Sequence, residues 1–220
     1  MLRLVIGNKN YSSWSMRPWI VLKHFGLEFE EIRIPLFTDT YEEELRQHSP
    51  TLRVPVLKDG DLVIWDSLAI CEYVSEKFLQ DAALPQDQVL RAQCRSYCAE
   101  MHSGFAALRS QLPMNCRARR MLQTDAEIEA EVARIDTLWQ QARNSHTAPE
   151  PYLFGAFSMA DAFFAPVVMR FLTYGITVSA ESADYMQVIV ENAAVSQWLE
   201  EANSESEIIA AAELGDPIES

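Results

Sequence analysis

Strand-like and helix-like segments alternate in the first eighty residues of this 220-residue chain, and only helix-like segments follow them. Short apolar runs typical of buried strands alternate there with amphipathic runs of helical period. The sequence predicts strand, helix, strand, helix, strand, strand and helix at residues 2–6, 19–25, 27–34, 41–47, 55–57, 62–64 and 67–78. A turn at residues 59–61, between two apolar runs, is typical of a hairpin. This order predicts a βαβ unit joined to a ββα unit.

After residue 79 the strand pattern ends. Residues 80–88 are polar, contain Pro85 and are predicted to form a linker. Helices are predicted at about residues 89–111, 125–145, 158–174 and 181–203, with frayed acidic ends near the C-terminus. The predicted fold class is an α/β thioredoxin-like domain over residues 1–79, followed by an all-helical domain over residues 89–220.

A run of hydroxyl groups lies between the first predicted strand and the first predicted helix. Ser12, Ser13 and Ser15 come at or just before the helix start, with Pro18 in its first turn and Gly26 at its end. Free N–H groups and the dipole of a helix N-terminus favour an anion, such as a thiolate or a phosphate. Alternatively, Ser15 is an N-cap and the other two are ordinary loop residues.

Pro55 begins the third predicted strand, a position at which proline is tolerated. Most X-Pro bonds are trans. In thioredoxin-like folds, however, the corresponding proline is cis and faces the active site. A cis bond here would turn the backbone N–H and C=O of Val54 toward a peptide ligand.

Ser158 and Asp161 have the spacing of a capping box, with aspartate instead of the usual glutamate. The helix that follows is apolar nearly all round, which predicts a central, buried helix. We therefore expect Asp161 to stabilise the fold and not to take part in catalysis.

In this order and spacing, the motifs resemble those of the soluble glutathione transferase superfamily. The sequence Ser-Ser-Trp-Ser-Met-Arg at residues 12–17 is similar to the Ser-Ser-Cys-Ser-x-Arg signature of the serine-type zeta class. Trp14 replaces the cysteine, which removes the option of thiol-disulfide exchange. The other segments that fall where the superfamily has them are Val54-Pro55, Asp66-Ser67 and residues 155–161.

The resemblance implies that Ser12 donates to the sulfur of glutathione and favours the thiolate. A free cysteine thiol has a pKa of roughly 8.5, and lowering it by about two units requires about 2.7 kcal/mol of preferential stabilisation. One hydroxyl donor and a helix N-terminus can supply this. Ser13 is a second candidate donor. Tyr11 stays open as well, because tyrosine has this role in other classes of the superfamily.

The resemblance also implies how glutathione is held. Asp66 would accept from its α-ammonium group, and the hydroxyl and N–H of Ser67 would bind its α-carboxylate. Val54, before Pro55, would pair with the cysteinyl backbone. Arg53 would pair with the glycine carboxylate, although it could equally be a solvated loop residue.

The helical domain would supply the pocket for an electrophile. Its candidate residues, with Tyr11 from the first domain, are Met101, His102, Phe105, Arg170 and Tyr174. Zeta enzymes that isomerise maleylacetoacetate hold the substrate carboxylate with an arginine on the helix after the Ala-Asp motif. Arg170 comes four residues after Pro166, about one turn earlier than expected, which weakens the isomerase alternative.

The four cysteines show no CxxC or zinc-ribbon spacing. Cys94, Cys98 and His102 recur every four residues, but such a stripe drifts by about 40° per step on a helix of 3.6 residues per turn. No fourth ligand is evident, so we expect buried thiols and no metal. The sequence has no signal peptide and no apolar span of twenty residues, so a cytoplasmic location is expected.

The formal charge of −14 argues against nucleic acid or anionic membranes as partners. Anionic glutathione must then be attracted locally, and Lys9, Arg17 and Arg53 are the cations near the predicted site. The resemblance further implies a homodimer that packs through the helix at residues 67–78 and the first long helix after the linker.

The leading hypothesis is a glutathione transferase that adds the thiolate to an electrophilic or unsaturated small molecule. The alternatives are a glutathione-dependent cis-trans isomerase of the maleylacetoacetate type and a non-catalytic regulatory protein, as the stringent-starvation relatives are. Retention of all the predicted glutathione ligands, from Ser12 to Ser67, favours an enzyme.

Overall fold

The computed structural model describes residues 1–218, and its first part is a four-stranded mixed sheet in the order β2, β1, β3, β4. The strands are β1 (Leu2–Ile6), β2 (Phe29–Arg33), β3 (Val56–Asp59) and β4 (Leu62–Trp65). β1 is parallel to β2 and antiparallel to β3, and β3 is antiparallel to β4. The helices of this part are α1 (Ser13–His24), α2 (Tyr41–Arg46) and α3 (Ser67–Phe78). The predicted thioredoxin-like order is confirmed.

The alternation of side chains along β1 divides its residues between two apolar layers. Leu4 and Ile6 belong to the main core, together with residues of α1 and α3. Val5 points to the opposite face of the sheet, where it packs with Val56 and Leu45. Successive strand residues face opposite sides, so this short strand is buried on both faces.

Helix α1 begins at Ser13, six residues before the apolar segment at residues 19–25 that the sequence predicted as helix. Pro18 therefore lies inside the second turn and not in the first. Proline has no N–H to donate to the carbonyl four residues earlier, which is that of Trp14. The apolar pattern marked only the buried part of this helix, because its first turn carries serines.

The second part consists mainly of helices. They are α4 (Gln88–Ser103), α5 (Ala106–Gln111), α6 (Ala126–Arg143), α7 (Met159–Tyr174), α8 (Ala180–Glu191) and α9 (Ala193–Ser204). As predicted, α7 is central: it packs on α1 and α4, and every residue of it except Leu172 is buried. One apolar core joins the sheet helices α1 and α3 to α4 and α7.

Two helices predicted as continuous are interrupted. The one at residues 89–111 breaks after Ser103, where Phe105 has a left-handed conformation with φ of 57°. A Cβ atom on Gly104 would lie 2.8 Å from the carbonyl oxygen of Glu100, so the break requires glycine. The helix predicted at residues 181–203 breaks at Asn192, whose side chain accepts from the N–H groups of the first turn of α9.

The capping box at the start of α7 is confirmed. The Asp161 carboxylate accepts from the N–H of Leu153 at 3.1 Å, from the N–H and hydroxyl of Ser158 at 2.8 and 2.9 Å, and from the Tyr185 hydroxyl at 3.2 Å. Complete burial raises the pKa of Asp161 to about 6, while these four donors act in the opposite direction. The carboxylate therefore joins the loop, α7 and α8.

The segment after α9 is ordered, not frayed, and the second part is not entirely helical. A 3₁₀ turn (Ala210–Ala212) is followed by β6 (Asp216–Pro217), which pairs with β5 (Arg120–Met121). Several glutamates of this segment, which the sequence predicted to be a frayed acidic end, bind cations from distant parts of the chain. Residues 219 and 220 of the predicted helical domain lie outside the described residues.

The four cysteines are all buried and free, as the sequence predicted. Burial raises the pKa of Cys116 to about 12, so its thiolate is disfavoured. Within residues 1–218 no group of three or more His, Cys, Asp or Glu side chains could hold a metal ion. No helix in that range is long and apolar enough to cross a bilayer.

Candidate functional site

An open cleft of about 650 Å³ lies where the start of β3, the start of α3 and the end of α4 meet. It is lined by Trp14, Thr51, Arg53, Val54, Pro55, Trp65, Asp66, Ser67 and His102. All five residues predicted to bind glutathione therefore line one cavity. They come from two separate segments of the chain, which the β3-β4 hairpin brings together.

The Val54–Pro55 peptide bond is cis, as the thioredoxin-like order implied. The backbone N–H and C=O of Val54 make no hydrogen bond to any group within residues 1–218. The preceding loop is fixed by Ser49, whose hydroxyl donates to the carbonyl of Arg53 at 2.8 Å and accepts from its N–H at 3.1 Å. Val54 thus offers one donor and one acceptor to an extended ligand.

The start of α3 offers an anion site beside a carboxylate. Asp66, with φ of 76°, caps the helix: one carboxylate oxygen accepts from the N–H groups of Leu68 and Ala69. The N–H of Ser67 donates to no acceptor within the described part of the chain. The N–H of Ser67 therefore remains available to a carboxylate, and the second oxygen of Asp66, which caps no N–H group, suits an ammonium beside it.

His102, predicted to contact the electrophile, lies on the side of the cleft formed by Asp66. Its Nε2 is 3.2 Å from the second carboxylate oxygen of Asp66. Partial burial lowers the pKa of His102; Asp66 raises it, and Arg17 and Arg109 lower it further. The imidazole is accordingly neutral at pH 7.

Trp14, where the zeta signature has cysteine, separates the cleft from a group of arginines. The Arg17 guanidinium lies 4.3 Å and that of Arg109 5.5 Å from the Trp14 ring. The His102 ring meets Trp14 edge to face at 5.2 Å. Such cation–π contacts partly stabilise buried positive charge.

Arg17 and Arg170 are buried without a carboxylate partner. Among the residues described, no acidic oxygen lies within 4.0 Å of the guanidinium nitrogens of Arg17, Arg109 or Arg170. The Nε atoms of Arg17 and Arg170 have no hydrogen-bond partner there either. Burial, together with the neighbouring arginines, lowers the pKa of Arg17 to about 9 and that of Arg170 to about 10. Both remain protonated at pH 7, and an unpaired buried cation favours an anion nearby.

The two candidate catalytic serines are almost buried at the start of α1. Ser12 donates to the Ser15 hydroxyl at 2.7 Å, and the same oxygen accepts from the N–H of Gly7 at 3.2 Å. Ser13 accepts from Arg170 at 3.4 Å and donates to no group of the described chain. Neither serine caps the helix through its side chain. The two hydroxyls therefore differ: that of Ser12 is already bonded, and that of Ser13 is free to donate.

Ser12, Ser13 and Arg170 do not line the cleft, and neither do the remaining candidates. The Tyr11 hydroxyl donates to Glu213 at 2.6 Å. Met101 and Phe105 are buried in the core. Tyr174 borders a separate groove between α6 and the end of α7.

Of the three cations predicted to attract glutathione, only Arg53 borders the cleft. Lys9 is buried and paired with Glu31 and Glu201, so its charge is neutralised. Arg17 lies behind Trp14 and donates to the Ser67 hydroxyl at 3.4 Å. The sequence did not predict Thr51, Trp65 and Arg109, because they belong to no motif of recognisable spacing.

Comparisons with known proteins agree with this geometry. The family described as "Glutathione S-transferase, N-terminal domain" matches residues 11–77. Glutathione S-transferase Z1 of Arabidopsis thaliana is 38% identical over 89 residues, which are 38% of this chain and 40% of that protein. A glutathione transferase homolog from Burkholderia, solved with bound glutathione, is 25% identical with a TM-score of 0.68, covering 93% of this chain and 99% of that one.

Residues 11–77 thus match the N-terminal domain family of glutathione S-transferases, and the chain as a whole is similar in fold to solved glutathione transferases. Its similarity to the zeta-type relative is confined to about two fifths of that relative's length. A stringent starvation protein A homolog of Haemophilus ducreyi is 24% identical over 157 residues, 71% of this chain and 69% of that protein. This glutathione transferase fold is thus shared with proteins that carry quite different names.

Proposed function

We propose that the protein is a glutathione transferase that ionises the thiol of glutathione and directs the thiolate at a small electrophile. The observation that carries this proposal is the convergence of Val54, Asp66, Ser67 and Arg53 on one cleft. These groups match the peptide backbone, the ammonium and the carboxylates of a γ-glutamyl tripeptide.

In this proposal the unpaired N–H and C=O of Val54 bind the cysteinyl unit, and the start of α3 binds the γ-glutamyl end. A hydroxyl at the start of α1 donates to the sulfur and stabilises its negative charge. The resemblance favours Ser12 as this donor. To reach the sulfur, Ser12 would have to release Ser15, whereas Ser13 has an uncommitted proton beside a positive charge. The thiol proton passes to solvent when the thiolate forms. The thiolate then forms a C–S bond with the electrophile: at a saturated carbon it displaces a leaving group with its electron pair, and at an activated alkene it opens the C=C bond, whose other carbon takes a proton from solvent.

The experiment is a pH titration of the thiolate absorbance of bound glutathione in wild type, Ser12→Ala, Ser13→Ala and Tyr11→Phe. We expect one serine variant to raise the bound thiol pKa toward roughly 8.5 and to lower turnover at pH 7 by about ten- to a thousandfold. The larger loss identifies the donor. If Tyr11→Phe alone loses the thiolate, the serine-type assignment is wrong.

The buried arginines favour a second candidate, a glutathione-dependent isomerase of an unsaturated carboxylic acid. Arg170 contacts Ser13 and would attract a substrate carboxylate toward the thiolate. Reversible C–S bond formation at an alkene carbon permits rotation, and loss of the same thiolate restores the double bond. Conversion of maleylacetoacetate to its trans isomer, followed by NMR with and without glutathione, tests this candidate. Conjugation without isomerisation would exclude it.

A non-catalytic binding protein is the remaining alternative. It would bind glutathione with an unperturbed thiol pKa, so the titration above separates it from an enzyme. Two observations weigh against it. The chain has the Ser12–Ser15 hydroxyl pair, and the backbone N–H and C=O of Val54 have no partner within the described residues.

We also retain the prediction of a homodimer. Trp65, directly before α3, and Val89, at the start of α4, expose 49% and 66% of their surface. Both flank the helices predicted to form the contact. Light scattering should give a particle of twice the 25.0 kDa chain mass, and a monomer at micromolar concentration would contradict the prediction.

A further inference from the structure

The segment that follows α9 lies against the loop that precedes the candidate catalytic serines. Glu205, directly after α9, uses both carboxylate oxygens to bind two consecutive backbone groups of that loop. One oxygen accepts from the N–H of Lys9 at 2.7 Å, and the other from the N–H of Asn10 at 3.0 Å. The Glu205 side chain is only 6% exposed. One carboxylate thus holds two N–H groups in a nearly dry setting, where charge-assisted hydrogen bonds are strong.

The loop has no regular secondary structure to satisfy these donors. Lys9 and Asn10 are buried, and their N–H groups have no other partner within the described residues. A buried backbone N–H without a partner is unfavourable. The position of residues 9 and 10 therefore depends on Glu205, and Ser12 lies two residues further along the chain.

A second contact fixes the same loop one residue later. The Tyr11 hydroxyl donates to Glu213 at 2.6 Å, and the Asn115 amide donates to the same oxygen at 2.9 Å. Arg120 pairs with the other carboxylate oxygen of Glu213. Tyr11, a candidate sulfur donor in the sequence, is thus committed to the C-terminal segment.

Arg117 links the two contacts. Its guanidinium donates to the carbonyl of Glu205, to that of Glu207 at 2.8 Å and to the Tyr11 hydroxyl at 3.2 Å. Arg117 therefore contacts both the segment after α9 and Tyr11, which lies in the loop that precedes the candidate catalytic serines.

The nearby surface ion pairs do not explain these contacts. Arg33 lies 3.4 Å from Glu205 and 2.8 Å from Glu207, and the Arg33 and Glu207 side chains are about one-third exposed. Exposed pairs of this kind contribute little. The Glu207 side chain binds Arg33 but no atom of the loop that precedes the candidate catalytic serines. It therefore provides a matched control.

We infer that Glu205 is a positioning residue for thiol activation: by binding the N–H groups of Lys9 and Asn10 it fixes the backbone that carries Ser12 and Ser13. This inference rests on the proposed function. Within residues 1–218, the proposed glutathione-binding residues Arg53, Val54, Asp66 and Ser67 make no hydrogen bond with the segment after α9. Loss of Glu205 therefore affects activation and leaves binding nearly unchanged.

The test compares Glu205→Gln with Glu207→Gln. Glutamine keeps one acceptor oxygen but turns an NH₂ group toward the second N–H, so one contact becomes repulsive. Hydrogen–deuterium exchange of a peptide covering residues 7–15 should be at least tenfold faster in Glu205→Gln and unchanged in Glu207→Gln. Steady-state kinetics should show kcat reduced about tenfold in Glu205→Gln, with KM for glutathione within twofold of wild type.

If Glu205→Gln does not fold, Tyr11→Phe replaces it in the test, because this variant removes the second contact. Tyr11→Phe should also speed hydrogen–deuterium exchange in the same peptide. Wild-type exchange and wild-type kcat in Glu205→Gln would overturn the inference. An equal loss of glutathione affinity and kcat would also overturn it, because general unfolding would explain both. If wild type does not turn over glutathione, the proposed function fails, while the exchange measurement still decides whether Glu205 holds the loop.

Discussion

Asp161 and Arg170 are both charged, both buried and both on α7, but their surroundings differ. Asp161 accepts four hydrogen bonds from the loop, its own helix and α8. Arg170 makes two bonds of 3.4 Å, and its Nε has no partner in the described part of the chain. A buried charge retained for folding is satisfied internally. A buried charge left partly unsatisfied next to a candidate catalytic residue, as Arg170 is next to Ser13, indicates a ligand.

The largest expected effect concerns Asp161. Removing its carboxylate leaves four buried donors unpaired, and each such group costs about 1–3 kcal/mol, partly recovered by relaxation. We expect Asp161→Ala to lower the free energy of unfolding by about 3–5 kcal/mol. Urea unfolding measures this change. Asp184→Ala, at an exposed position of the neighbouring α8, should stay within about 0.5 kcal/mol of wild type. A loss below 1 kcal/mol in Asp161→Ala would remove the contrast between the two charges.

Arg170 should behave in the opposite way. Replacing a poorly paired buried charge by an apolar side chain of similar length is often neutral or stabilising. We expect Arg170→Met to unfold at an equal or higher urea concentration, while its affinity for a dianion such as succinate falls about ten- to a hundredfold. Binding of the neutral dimethyl ester should not change.

Arg134→Met is the matched control, because Arg134 pairs with Glu100 on the protein surface. That variant should retain wild-type succinate affinity. If Arg170→Met were less stable but kept its affinity for succinate, Arg170 would have a role in stabilising the fold, as Asp161 has.

The smallest effect concerns His102, which lines the cleft beside Asp66. Burial holds the pKa of His102 below its usual 6.5, so the imidazole gains its charge only in acid. It then competes with the ligand's ammonium group for Asp66. The α-amino and α-carboxyl groups of a peptide do not titrate between about pH 5 and 7. Glutathione affinity should therefore fall about two- to fivefold from pH 7 to pH 5.5. His102→Gln should abolish that dependence, and an unchanged profile in this variant would exclude His102 as its cause.

What the sequence could predict depends on whether the residues that form a feature lie close together in the chain. Elements whose signals are local were found: α3 was predicted at its observed bounds because Asp66 caps it and binds its first N–H groups. The breaks at Gly104 and Asn192 were missed because the apolar period continues across them. A break of one or two residues is set by local backbone conformation, which periodicity does not report.

The sequence brought together Arg53, Val54, Pro55, Asp66 and Ser67, which line one cleft, because these residues lie in two compact motifs. The arginine group was not predicted, because Arg17, Arg109 and Arg170 come from α1, α5 and α7, and no spacing connects them. The C-terminal segment was predicted to be frayed for the same reason: the groups that bind Glu205 and Glu213 lie far away in sequence.

The central claim is that the cleft binds glutathione through the start of α3, and calorimetry on Asp66→Asn tests it most directly. Asparagine retains the oxygen that caps α3 and tolerates positive φ, so it removes the charge alone. Wild type should bind glutathione at one site per chain, and Asp66→Asn should bind it more than tenfold more weakly, as expected for one charge-assisted contact of about 1.5–3 kcal/mol. Absence of binding in wild type, or wild-type affinity in Asp66→Asn, would contradict the account.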